Sequence, residues 1–120
     1  MPAGTGVQHS EYNSQKEKEL RFIQSWILPR SRELKPNYGS YVVKPDAESE
    51  RLNKWVYLIS DFDQSGKVQI NQDCNFFVSD IDPDYIIPFK LVPNRQAYVV
   101  CLEGSVKVDG NFLKWHEASE

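Results

Sequence analysis

Histidine, cysteine and methionine are scarce in this sequence, and that scarcity narrows its chemistry before any motif is sought. The 120 residues include two histidines, two cysteines and one methionine. Cys74 and Cys101 each lie in an apolar run, where a free thiol behaves as a small buried hydrophobe. No apolar run reaches the roughly 20 residues that a membrane-crossing helix needs. Met1-Pro2-Ala3-Gly4 leads into no apolar stretch of the secretory kind. The expected location is therefore the reducing cytoplasm, or the nucleus in a eukaryote. Basic residues are also in deficit, 14 against 17 acidic ones, for a formal net charge of -3. Without a basic stripe, nucleic-acid binding by direct contact is not expected. Glycine-rich phosphate loops and a Gly-x-Ser-x-Gly elbow are missing too, which removes the commonest nucleotide-binding and serine-hydrolase readings.

What is present is a globular, aromatic-rich composition. Hydrophobic residues make up 40% and aromatic residues 12%, with Trp26, Trp55 and Trp115 spread along the chain, a balance that favours strands over long helices. Val7 to Tyr12 and Leu20 to Leu28 are expected to be strands. The second run is apolar on both alternating faces towards its end, a pattern shared by a doubly buried strand and a buried helix; its aromatic and β-branched content and the stop at Pro29 favour strand. Pro29 to Gly39 reads as a surface loop, and Lys44 to Leu52 as at most a short helix or turn. Short strands are then expected at 54–60, 67–71, 74–79, 85–91, 96–102 and 105–108. Ser65-Gly66, Asp82-Pro83-Asp84, Pro93-Asn94, Glu103-Gly104 and Asp109-Gly110 separate them. Regular short strands with such punctuation indicate an all-β sandwich or barrel. Pro88 lacks an N–H, so the 85–91 strand is expected at an edge. Asp109-Gly110 supplies the positive φ angles of a type I′ hairpin turn.

Three constellations could carry chemistry. His9 and Glu11 stand two apart, which on a strand places an imidazole and a carboxylate on one face and within reach of one metal ion. The triplet alone has little specificity, because most such pairs merely face water, and the only other histidine is His116. Asp61-Phe62-Asp63-Gln64-Ser65-Gly66-Lys67-Val68 fits the first two-thirds of a calcium-binding EF-hand loop. Its twelfth position is Gln72 where a bidentate glutamate is required, and its flanks are strand-forming, so a polar hairpin turn explains it better. Neither cysteine has a context that activates a nucleophile, and no catalytic residue is assigned.

The stretch Met1-Pro2-Ala3-Gly4-Thr5-Gly6-Val7-Gln8-His9-Ser10-Glu11 resembles a signature of the pirin family, double-cupin proteins that include quercetin 2,3-dioxygenase-like members. The likeness continues through Gln24-x-Trp26-Ile27, Pro36-Asn37-Tyr38 and Val68 to Asp73. It resumes at Ala97 to Val100 and Leu102 to Gly110, and so spans nearly the whole chain; its first motif is the specific one. The resemblance implies an all-β cupin, or double-stranded β-helix, present only in part. Residues 1–30 would be the closing strands of an N-terminal cupin, 31–53 a linker and loop, and 54–120 a partial C-terminal cupin. His9 and Glu11 would be two of four iron ligands, the other two coming from an upstream H-x-H strand that these residues do not include. Met1 aligns with a methionine that is internal in the family, and the tail stops before the second cupin normally closes. The implied substrate is flavonol-like. The implied partners are a second copy or another chain, paired through exposed sheet edges. An alternative expectation is a non-catalytic interaction module working through those edges.

Overall fold

The computed structural model describes residues 5–42 and 48–120. The first four residues of the opening motif and the 44–47 part of the polar Lys44 to Leu52 stretch lie outside the described residues. One four-residue helix, α1 (Glu48–Arg51), is followed by seven strands: β1 (Val56–Asp61), β2 (Val68–Ile70), β3 (Phe76–Val78), β4 (Val99–Val100), β5 (Ser105–Val108), β6 (Asn111–Lys114) and β7 (Ala118–Ser119). The fold is all-β, as the composition and strand spacing predict. The chain divides into two compact units, Met1–Ile87 and Pro88–Glu120.

In the first unit β1 is the central strand of a three-stranded sheet ordered β2-β1-β3. It is also the most buried element, with Val56, Ser60 and Asp61 all withdrawn from solvent. β3 pairs with it antiparallel, and Tyr57 faces Phe77 across the ladder. Their rings stack with centroids 4.6 Å apart, the kind of cross-strand aromatic pair that contributes roughly 0.5–1.5 kcal/mol beyond its buried area. A bulge between Tyr57 and Ile59 shifts the register.

β2 runs parallel to β1, with Ile59 beside Val68 and Asp61 beside Ile70. Parallel neighbours normally need a crossover of a dozen residues or more, yet only residues 62–67 intervene. The chain manages this by doubling back along β1 before it turns forward again. It reverses at Asp61, where the Gln64 N–H donates to the Asp61 carbonyl at 3.1 Å. The Gly66 N–H then donates to the Ser60 hydroxyl at 3.0 Å. The Lys67 N–H reaches the Tyr57 carbonyl at 3.3 Å. The close pass leaves no room for a side chain: a Cβ on Gly66 would stand 2.8 Å from the Ser60 backbone nitrogen.

The N-terminal segment is moored to this sheet at its far end. The Arg30 N–H donates to the Asn71 carbonyl at 2.9 Å, the Gln72 amide donates to the Leu28 carbonyl at 2.7 Å, and the Arg30 guanidinium pairs with Asp61. Between residues 5 and 42, however, there is no strand. Val7 to Tyr12 and Leu20 to Leu28 have strand-like sequences but form no ladder, and Trp26 and Leu28 are 86% and 85% exposed. A strand is made by its neighbour, whose backbone groups must satisfy its own, and among the described residues neither run has one. Tyr85 to Leu91 likewise forms no strand. Pro88 removes a donor within the run, and a turn in which the Tyr85 N–H donates to the Asp82 carbonyl at 3.1 Å opens it.

A knot of reciprocal hydrogen bonds ties the end of α1 to the end of β3. The Asn53 N–H donates to the Asp80 carbonyl at 2.7 Å, and the Asp80 N–H to the Arg51 carbonyl at 3.0 Å. Arg51 and Asp80 add an ion pair at 2.9 Å. Nearby, the Tyr41 hydroxyl donates to the Glu50 carboxylate at 2.8 Å, and the Lys67 ammonium lies 5.2 Å over the Tyr41 ring. That hydrogen bond, with some desolvation and the negative charge of Glu50, raises the Tyr41 pKa above its ordinary value of 10.0.

In the second unit β5 and β6 form the hairpin expected at Asp109-Gly110. Val108 pairs with Asn111, and the two turn residues have φ of 46° and 90°, as a type I′ turn requires. β4 pairs antiparallel with β7. Cys101 continues that pairing: its N–H donates to the Glu117 carbonyl at 2.9 Å, and its carbonyl accepts from His116 at 2.8 Å. Cys101 and Leu113 are the buried hydrophobes of this unit. Both cysteines are free thiols, Cys101 buried and Cys74 half-buried.

Two predictions follow from these contacts. Gly66→Ala forces the loop off β1 and lowers stability by about 1–3 kcal/mol, the usual penalty for overpacking, read as a lower urea midpoint with little change in slope. Because the Tyr41 pKa is raised in the folded state, the stability linked to it is present below pH 10 and is lost as the pH rises through the folded value. Absorbance titration of phenolate should show one late-ionising tyrosine, moved to lower pH by Glu50→Gln and absent in Tyr41→Phe.

Candidate functional site

The two residues singled out as metal donors lie side by side. His9 Nε2 is 3.6 Å from Glu11 Oε1, and their side chains are 41% and 40% exposed. The backbone from residue 7 to 12 is not a strand, so the pairing is that of neighbouring side chains on an open segment, not of two positions on a sheet face. The other Glu11 oxygen, Oε2, accepts a 2.6 Å hydrogen bond from the Gln24 amide. Gln24 thus fixes the plane of the carboxylate and leaves Oε1 turned to the imidazole. Outer hydrogen bonds of this kind orient metal-binding carboxylates.

The donor set has the chemistry of a transition-metal site, one imidazole nitrogen and one carboxylate oxygen. Its spacing fits as well: two such donors on one ion at a tetrahedral angle stand roughly 3.3–3.6 Å apart, given bonds of about 2.0–2.2 Å. The number of donors does not fit a finished centre. Among the described residues no group of three or more His, Cys, Asp or Glu side chains is placed to hold a metal. The His116 ring lies 4.4 Å from that of Trp115, and its backbone N–H donates to the Cys101 carbonyl at 2.8 Å.

The loop that resembles a calcium site is committed to folding. Asp61 is buried, with Oδ2 paired to Arg30 and Oδ1 accepting the Phe62 N–H at 2.7 Å. Gly66 stands where the backbone passes Ser60, and not where a cation would be cradled. Two open clefts accompany the sheet. One, of about 400 Å³, is bordered by Glu50, Lys54, Trp55, Val56, Tyr57, Ser65 and Lys67; the other, of about 390 Å³, by residues 34–37, Phe62 and Asn71.

Two participants were not singled out from the sequence. Gln24 stands out only as part of the Gln24-x-Trp26-Ile27 likeness, and nothing in the residue type announces a contact 13 positions away. Arg30, adjacent to Pro29, looks like a loop cation, yet it anchors the segment that presents the pair. No helix among the described residues is long and apolar enough to cross a membrane.

Comparison with known proteins gives this arrangement its family. The quercetinase C-terminal cupin domain matches residues 57–120. A Pseudomonas aeruginosa protein named as a candidate quercetin 2,3-dioxygenase is 35% identical over 111 residues, which cover 92% of this chain and 46% of that protein. A pirin-like protein of Caulobacter vibrioides is 33% identical over 92% of this chain and 46% of its own length. The quercetin 2,3-dioxygenase of Escherichia coli K12 is 24% identical over 92% and 45%. The chain thus spans about half the length of the curated relatives it matches. No solved structure matches it. By the domain match and the strand-rich fold, the chain belongs to the pirin family of cupin proteins.

Proposed function

We propose that this chain is a pirin-type cupin bearing half of an iron centre, with His9 and Glu11 as its two donors. The observation that carries the reading is the 3.6 Å His9–Glu11 pair, open to solvent and steadied by Gln24. An imidazole and a carboxylate held at ligand spacing are what a non-haem iron site asks of one segment. Two donors leave the ion without a defined geometry, so this chain by itself performs no dioxygenase turnover. In the same reading residues 1–30 are closing strands of one cupin, 31–53 a linker, and 54–120 part of a second. Relatives named for quercetin 2,3-dioxygenase activity make a flavonol the substrate class of a completed centre. When bound, iron would supply the redox chemistry; the part played by this chain is to hold the carboxylate in plane and keep the imidazole beside it.

A second reading has its own support. The 20–28 segment exposes Leu20, Phe22, Ile23, Trp26 and Leu28 without forming a strand, and β2 and β3 are both sheet edges. Strand-like apolar chain beside open edges favours a non-catalytic interaction role through β pairing.

Iron titration of the dilute chain, followed by calorimetry, tests the first reading. The expected result is no stoichiometric micromolar binding and no oxygen uptake with quercetin above that of free iron. One ion held tightly per single chain, lost on His9→Ala and on Glu11→Gln, would overturn it.

A further inference from the structure

We propose that the cleft of about 400 Å³ beside β1 binds a small planar aromatic carboxylate, its ring against Trp55 and its carboxylate on Lys54. The volume falls within the range of small-molecule sites. The lining includes neither His9 nor Glu11, so the proposal is independent of the half-centre reading. Lys54 and Trp55 lead into β1, while Ser65 and Lys67 belong to the loop that returns along it. The Lys67 N–H is bonded to the Tyr57 carbonyl at 3.3 Å, and Gly66 packs against Ser60. Backbone contacts therefore fix the cleft before any ligand arrives, and a site already formed loses less freedom on binding.

The charges in the cleft call for an anion and set its direction. Glu50 accepts from the Tyr41 hydroxyl at 2.8 Å and stands 3.7 Å from the Lys67 ammonium. That ammonium also lies 5.2 Å over the Tyr41 ring, so Lys67 is held where it neutralises Glu50. Lys54 forms no ion pair among the described residues. Two ammonium groups against one carboxylate leave a positive charge in excess, and Lys54 carries it. An entering anion is drawn to Lys54 and turned away from Glu50. A single negative charge matches this balance, whereas a phosphate dianion meets the same one unpaired cation with greater repulsion from Glu50.

The rings that border the cleft make the partner of that charge flat and aromatic. Tyr57 is stacked on Phe77, and its hydroxyl donates to the Asn75 side-chain oxygen at 2.7 Å. Trp55 stands just before the strand and keeps 37% of its surface exposed. An indole of this kind offers a broad apolar surface that another ring covers in an offset or edge-on arrangement. Trp55 and Lys54 are adjacent in sequence, so one rigid ligand with its carboxylate on the ring spans both groups.

The test is an amide NMR titration of the full chain with 2-naphthoate, beside uncharged 2-naphthamide and the non-aromatic cyclohexanecarboxylate. The expected result is saturable shifts at Lys54, Trp55, Ser65 and Lys67, with a Kd of about 1 mM or below, as suits so small a ligand. The amide should bind about fivefold more weakly, the upper end for an exposed ion pair. The non-aromatic acid should lose a similar factor, about fivefold, with the ring contact. Lys54→Gln, at an exposed position, should bring naphthoate down to the level of the amide and leave the amide unchanged. Glu50→Gln removes the repelling charge and should tighten naphthoate alone. No saturation up to roughly 10 mM, an affinity too weak for a specific site, overturns the proposal. Equal binding of acid and amide, a preference that survives Lys54→Gln, or shifts confined to other parts of the chain overturns it as well.

Discussion

The Asp61 carboxylate, withdrawn from water at the end of β1, is the contact on which the candidate site depends. One oxygen accepts the Phe62 N–H and starts the loop back along the strand; the other pairs with Arg30. A buried carboxylate left without a partner is strongly unfavourable, so Arg30 is held at the sheet. The Leu28 carbonyl follows it, through the Gln72 amide. Between this mooring and the His9–Glu11 pair lies the 20–28 segment, from which Gln24 reaches Glu11. The donors therefore have no strand of their own to stand on. They are placed by a sequence of polar contacts leading back to one ion pair on the central strand.

That arrangement explains why the pair is well oriented but exposed. Sheet ladders satisfy backbone groups cooperatively along a whole element, whereas this segment is fixed at a few points. Residues between such points keep their apolar side chains in water, as Trp26 and Leu28 do. The loss of favourable burial is considerable, since a large apolar side chain gains about 1.5–3 kcal/mol on full burial.

What could be read from the sequence divides along the range of the interactions involved. The Asp109-Gly110 hairpin depends on the φ preferences of two adjacent residues, and it formed between Val108 and Asn111. β2 and β3 lie within the expected runs, trimmed at their ends, while β1 starts later than its run and ends one residue past it at Asp61, because pairing and not propensity sets where a strand stops. Leu20 to Leu28 and Tyr85 to Leu91 have strand composition without strand structure, since period and residue type say nothing of whether a neighbour exists. The parallel course of β2 was also invisible, because it depends on Gly66 passing within van der Waals distance of Ser60. For the site, the adjacency of His9 and Glu11 was legible from a spacing of two, although the strand thought to cause it is not there. Gln24 and Arg30 act over 13 and 31 positions, distances at which a single sequence carries no geometric information.

The balance between the two open features, apolar strip and donor pair, determines what kind of association is physically sensible. Apolar strand-like surface alone is indiscriminate and accepts any edge or groove of similar character. A carboxylate set beside it penalises approach by another apolar surface, because burying that charge without a partner is unfavourable. Selectivity then comes from the combination, an attractive apolar area guarded by a charge. A carboxylate held in plane by Gln24 thus limits what can be buried against the 20–28 segment.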